Sequence, residues 1–210
     1  MSLLRFLRHA GRRLGRGFWH DTRGAMPIEG LFGSVLLLGW FMISYQFFES
    51  FRHKGLATRA AHTVADLVSR ETQPIGPKYV AGLAKVYDFV ADSKIDSWIR
   101  VTLIYWDNTA KAYKVTKSYA TENKGLQTNA TLATQTNRIP VLAEGDTAII
   151  IETQMEYDPI FSIGDKALSL SQDAAGQSIF TRVGLGSGIR FSNFVVTRPR
   201  GTKIVWNDAK

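Results

Sequence analysis

Glu29 is the single acid between Asp21 and Glu49, and it stands at the mouth of a long apolar stretch, in the run Arg23-Gly24-Ala25-Met26-Pro27-Ile28-Glu29-Gly30. A carboxylate held at a lipid boundary can do one kind of chemistry cheaply, which is to pair with a cation. The helix terminus favours its charge by only about 0.3–1 kcal/mol, whereas an ionised side chain at the bilayer centre costs about 2.5–3.5 kcal/mol and less near the interface. A partner is therefore useful. Scission of the Gly24–Ala25 bond would create one, an α-amino group that a neighbouring chain could present to Glu29. The local sequence suits such a cut. Pro27 would break a helix already running through Gly24, but in a helix starting near Ala25 it falls in the first turn, where its missing N–H costs nothing. Met26, preceding proline, is biased toward an extended conformation. Gly24–Ala25 thus reads as an accessible, unhelical bond ahead of a preformed helix, with Glu29 about 6 Å along it.

Other residues that could carry chemistry fall short of a constellation. His9 and His20 precede the apolar run, and His53 and His62 are nine residues apart on a predicted helix, about 13–14 Å along its axis and too far to share a metal. They read as solvated helix residues. The chain contains no H-E-x-x-H, no G-x-S-x-G and no P-loop lysine motif. Gly184-Leu185-Gly186-Ser187-Gly188 lacks the strand-before, helix-after setting of a phosphate cradle and reads as a turn. Glu144, Asp146, Glu152, Glu156 and Asp158 form an acidic group, but Glu152 and Glu156 alternate with apolar residues as a solvated strand face does. Trp98, Tyr105, Trp106, Tyr113 and Tyr119 lie on adjacent strands and read as cross-strand packing. No metal, cofactor, nucleic acid or small-molecule substrate is expected, and the chain reads as a non-enzyme.

The elements that must position Glu29 begin with charge. The formal net charge is +8, yet residues 1–24 hold six arginines against Asp21, a net +5 that leaves +3 for residues 25–210. Basicity is local, beside Phe6, Phe18 and Trp19, and suits a membrane surface better than DNA. Cysteine is absent, which excludes a disulfide framework and thiolate chemistry. From Gly30 to Phe48, nineteen residues carry no charge; at about 1.5 Å each they span about 28 Å, close to the hydrocarbon thickness. Six arginines precede this run, and Arg52, Lys54 and Arg59 follow it. The bias predicts a cytoplasmic N-terminus and an extracytoplasmic remainder. Gly30, Gly33 and Ser34 share a face that would let another helix approach closely.

Beyond the apolar run, Ala57, Ala60, Ala61, Val64, Leu67 and Val68 keep helical spacing, so one helix is expected from Ala25 to about Glu71, ended by Pro74-Ile75-Gly76-Pro77. Tyr79, Val80, Leu83, Val86, Tyr87 and Val90 predict a second amphipathic helix. After Ser97 the period becomes two. Ile99, Val101, Leu103 and Tyr105, then Tyr113 to Tyr119, predict a hairpin, and Ile149 to Tyr157 a third strand. Ile189–Thr197 and Lys203–Trp206 are shorter candidates, and residues 120–138 read as a surface loop. The expectation is α+β, helices on a small antiparallel sheet: a leader at 1–24, a transmembrane helix at 25–48, its continuation at 49–73 and an extracytoplasmic domain at 74–210.

The basic leader, Gly24, Glu29, the uninterrupted apolar helix and its amphipathic continuation resemble type IV pilin-like proteins, and within them the TadE/TadF-type minor pseudopilins of tight-adherence (Flp) pili. Residues 139–159 (IPVLAEGDTAIIIETQMEYDP) and 194–206 (FVVTRPRGTKIVW) resemble later segments of that family. Gly30 stands where the family's processing motif often has tyrosine. The resemblance implies a pilin-like fold and cleavage by a prepilin peptidase after Gly24, making Ala25 the mature terminus and Glu29 its fifth residue. It also implies a bacterial inner-membrane location with a periplasmic domain, and a part in pilus assembly and adhesion alongside other minor pilins. The alternatives are an unprocessed membrane-anchored scaffold or binding or sensor domain, and a secretory signal peptide.

Overall fold

A computed structural model describes residues 25–95, 97–160, 188–201 and 203–209. The chain falls into two units, one ending at Tyr45 and the other running from Gln46 to Lys210. The first helix, α1, is Ala25–Arg70. Between Pro27 and Tyr45 its residues are exposed, apart from the half-buried Gly39. By length and composition it is long and apolar enough to cross a membrane.

From Gln46 onward α1 buries one stripe. Ala57, Ala60, Ala61, Val64, Ala65 and Val68 are all buried, and their small size lets other elements approach the helix backbone. Exposed Leu67 lies off the stripe. The helix ends where Glu71 Oε1 accepts the backbone N–H groups of Thr72 (3.1 Å) and Gln73 (3.0 Å), satisfying donors that Pro74 prevents the helix from using. The second helix, α2 (Pro77–Ala91), starts with proline in its first turn and stops at Asp92 in the left-handed region, φ 53°. It buries Val80, Leu83, Tyr87 and Ala91, spacings of three and four that lay one face on the core.

The strands β1 (Trp98–Asp107), β2 (Ala112–Ala120), β3 (Thr147–Tyr157) and β4 (Ile189–Thr197) form one open sheet in the order β2-β1-β3-β4. All three pairings are antiparallel. Asp107 Oδ1 closes the β1–β2 turn by accepting the N–H groups of Thr109 and Ala110. Between Leu103 and Ile104 the β1–β2 register shifts by one residue, with Thr116 of β2 the extra one. Val101 to Ile104 are buried consecutively because Val101 and Leu103 face one core and Ile104 the other, while Tyr105, expected on the core face, is partly exposed. The chain is therefore α+β, with a long apolar N-terminal helix, a further helix and a four-stranded antiparallel open sheet.

Both faces of the sheet are covered. Ile99, Val101, Leu103, Ile149, Ile151 and Met155 join the α1 and α2 residues in one core. On the other face Ile104, Ala148 and Ile150 pack with Leu132, Ile139 and Leu142. Residues 120–138, expected as a surface loop, are mostly exposed, but they include α3 (Asn129–Ala133), which sends Leu132 into this cover, and a 3-10 turn (Thr136–Arg138). Thr128 and Thr131 cap α3 reciprocally, and buried Ser118 Oγ, 2.9 Å from Thr102 Oγ1, accepts the Gln127 N–H at 3.0 Å. Threonine-rich composition hid a capping box behind the look of a polar loop. The strand expected at 203–206 reduces to one parallel bridge, Ile75 to Trp206, which fastens the turn after α1.

A surface loop and a second layer respond differently to truncation. Leu132→Ala should cost about 2–4 kcal/mol in urea unfolding of the detergent-solubilised protein, as buried leucines do. A change within about 0.5 kcal/mol, the surface norm, would contradict the packing described.

Candidate functional site

Gly24 lies outside the described residues, and Ala25 is the first residue of α1. Glu29 is exposed, and among the described residues no hydrogen bond or ion pair holds it. Around it Ile28, Leu31 and Phe32 are also exposed, so the carboxylate sits on an apolar surface without a partner among the described residues. An added Cβ at Gly30 or Gly33 would meet no atom within 4 Å. Ser34 Oγ donates to the Leu31 carbonyl at 2.8 Å. That bond satisfies the hydroxyl locally and leaves the face of small residues open to another helix.

A polar cluster that sequence reasoning missed begins one residue past Tyr45. Gln46, Ser50 and His53 are 1%, 5% and 6% exposed, at spacings of four and three on the face that continues as Ala57, Ala60 and Ala61. Gln46 Nε2 donates to the Tyr157 hydroxyl at 3.4 Å, and Ser50 Oγ to the Gln46 carbonyl at 3.0 Å. The His53 ring lies 4.5 Å from the Tyr157 ring, which stacks in turn on Phe191 at 6.1 Å. Glu49 Oε1 takes Arg52 Nη2 at 2.6 Å and stands 3.4 Å from His53 Nε2. Arg52 also reaches Asp92, just beyond α2, at 4.0 Å. Two buried polar atoms, Gln46 Oε1 and His53 Nδ1, have no partner. His53 is thus a core residue against the expectation of a solvated one, while His62 is exposed as expected. The spacing of 46, 50 and 53, continued by the alanine stripe, was the signal that could have found it.

This environment sets two protonation states. Burial lowers the His53 pKa below its ordinary value, with Arg52 acting in the same direction and Glu49 and Asp92 opposing. The Glu49 pKa is lowered chiefly by the hydrogen bond from Arg52. His53 therefore favours its neutral form near pH 7, and the cluster clamps β3 to α1.

The remaining candidates are dispersed. Glu144 accepts from Asn108, Asp146 pairs with Arg198 at 3.3 Å, and Asp158 accepts the Gly188 N–H. Glu156 stands 3.8 Å from Arg190. Glu152, expected on a solvated face, is instead largely buried and bound to Arg100 at 2.6 Å. Among the described residues no three His, Asp or Glu side chains are grouped to hold a metal. Gly184 to Ser187 lie outside the described residues, and Gly188 begins the approach to β4 with φ +63°. Trp106 and Tyr113, opposite each other across β1 and β2, meet edge to face at 4.9 Å. They border a cavity of about 650 Å³ with Lys111, Lys114, Asn129 and Leu142. No family model matches the chain, and neither does any curated protein or solved structure at a significant level.

The lowered His53 pKa links stability to pH. Above the ordinary value near 6.5 both folded and unfolded states hold a neutral imidazole. Below it the unfolded chain gains a proton that the folded chain resists, so stability falls with pH through the lowered pKa. Melting followed by circular dichroism should show a Tm that declines from about pH 6.5 downward. In His53→Phe, which keeps a ring against Tyr157, that decline should vanish, leaving only the loss at lower pH where Glu49 takes its proton.

Proposed function

We propose that this chain is a single-pass, non-catalytic, pilin-like subunit of the TadE/TadF type. In this reading it is anchored in a bacterial inner membrane with its larger unit in the periplasm, is cut after Gly24 by a prepilin peptidase, and takes part in assembling a tight-adherence pilus with other minor pilins. The observation that carries the reading is Glu29, an acid exposed on an otherwise apolar helix surface and unpaired among the described residues. Such a group is costly in a lone anchor. It is accounted for when a second helix brings an α-amino group to it. Gly24 and Ala25 are then peptidase substrate positions, Glu29 is the assembly charge, and Gly30, Gly33 and Ser34 form the face along which helices meet. The helix-plus-antiparallel-sheet architecture supports the reading at the level of fold class.

A second reading, an unprocessed anchored domain that binds a ligand, draws on the cavity beside Trp106 and Tyr113. The two part at the N-terminus. Intact mass of the membrane-extracted protein should begin at Ala25 when the prepilin peptidase is present and at Met1 or Ser2 when it is deleted; full-length protein in both strains would favour the second reading. Glu29→Gln should leave cleavage intact and abolish fibres, while Gly30→Leu with Ser34→Leu should weaken cross-linking to other pilus components. Normal piliation with glutamine at 29 would remove the charge-pairing mechanism.

A further inference from the structure

At the end of the Gln46–Lys210 unit where its stretch of α1 begins, several large apolar side chains are exposed among the described residues. Arg52 and Asp92 approach to 4.0 Å, which sets the C-terminal end of α2 beside residue 52. Phe89, three residues or about 4.5 Å earlier on α2, is 87% exposed, and Ile95, just beyond α2, is 42% exposed. Ile95 and Lys94 border the same hollow as Glu49 and His53, so the turn after α2 lies at the same end. Phe48 and Phe51 are exposed there as well. Lys94 is exposed and among the described residues makes no ion pair.

The position of these residues along the chain says what they meet. Pro27 to Tyr45 is nineteen residues, exposed apart from half-buried Gly39, and about 28 Å of helix, which uses up the hydrocarbon thickness. Arg52 follows Tyr45 by seven positions, or about 10 Å of helix rise, and each headgroup zone adds about 5–8 Å to the core. Membrane helices tilt by about 20° on average, enough to bring one side of a domain down onto that zone. Aromatic rings favour this boundary, and a lysine there reaches lipid phosphate while its stem stays in apolar surroundings. Soluble surfaces seldom collect so many large apolar residues in one place.

We propose that this end of the domain is a lipid-contact surface, in which Phe51, Phe89 and Ile95 seat in the headgroup boundary of the bilayer that holds α1, and Lys94 meets its phosphates. It rests on the membrane-anchor part of the function proposed above and is independent of cleavage or pilus assembly.

The chain has no cysteine, so single thiols can be placed freely. Nitroxide labels on Phe89→Cys, Ile95→Cys, Val141→Cys and Ser34→Cys in the full chain, in vesicles of phosphatidylethanolamine and phosphatidylglycerol, would be compared for collision with oxygen and with a water-soluble nickel chelate. Val141 is equally exposed but lies by Arg198, toward the opposite ends of the strands. The expected result is a severalfold higher oxygen-to-nickel ratio at 89 and 95 than at 141, at a depth within about 5–10 Å of the headgroup boundary, with 34 deep in hydrocarbon. Aqueous ratios at 89 and 95 with 34 still in hydrocarbon would overturn the proposal and leave the anchor standing. Aqueous ratios at all four sites would overturn both. Shielding of 89 and 95 from both collision partners, with spin–spin broadening, would assign the surface to a second copy of the chain and overturn the lipid contact.

Discussion

Between Pro27 and Tyr45 a dozen large apolar side chains, from Ile28 to Tyr45, are exposed. At about 1.5–3 kcal/mol for each such side chain kept out of water, leaving them solvated forfeits on the order of 20 kcal/mol, more than the roughly 5–15 kcal/mol net stability of a folded domain. By length and composition this helix could cross a membrane. A helix is the form that lets these residues enter hydrocarbon, because it satisfies every backbone donor and acceptor internally. Glu29 matters for the same reason. On a soluble surface it would be unremarked, whereas here it stands on an exposed apolar helix face with no partner among the described residues.

The same helix changes solvent at Gln46. From there its buried face carries Gln46, Ser50 and His53 and then almost nothing larger than valine. The small residues permit close packing, and the polar ones are tied to Tyr157 and to one another. Two polar atoms in the cluster remain without partners, a cost of about 1–3 kcal/mol each for groups removed from water. The clamp is thus a specific joint between α1 and the end of β3 more than a source of net stability.

Much of the secondary structure was legible because its periods were clean. The unbroken apolar run, the alanine stripe, the spacing of Val80, Leu83 and Tyr87 on α2 and the alternation in β3 each leave a pattern that one element type alone satisfies. Legibility failed where a residue's surroundings are set by distant chain. Glu152 looks solvated by alternation, yet Arg100 stands across the β1–β3 ladder from it. Both faces of β1 are buried, Val101 and Leu103 against the helices and Ile104 against Leu132, Ile139 and Leu142, which no local alternation announces. The threonine-rich segment before β3 read as loop because its capping side chains and its buried leucines were judged by composition instead of by position.

By itself the sequence determined the long apolar helix, the order of helices and strands, and the setting of Glu29 at the start of that helix, because each depends on spacing along one continuous stretch of chain. Only the tertiary structure decided that His53 is buried against Tyr157, that residues 121–142 close the second face of the sheet, and that the turn after α2 comes back beside Arg52. Those outcomes depend on pairings across more than a hundred residues in the case of Gln46 and Tyr157. Burial is a property of the neighbours a side chain acquires, and the neighbours arrive only when the sheet has formed.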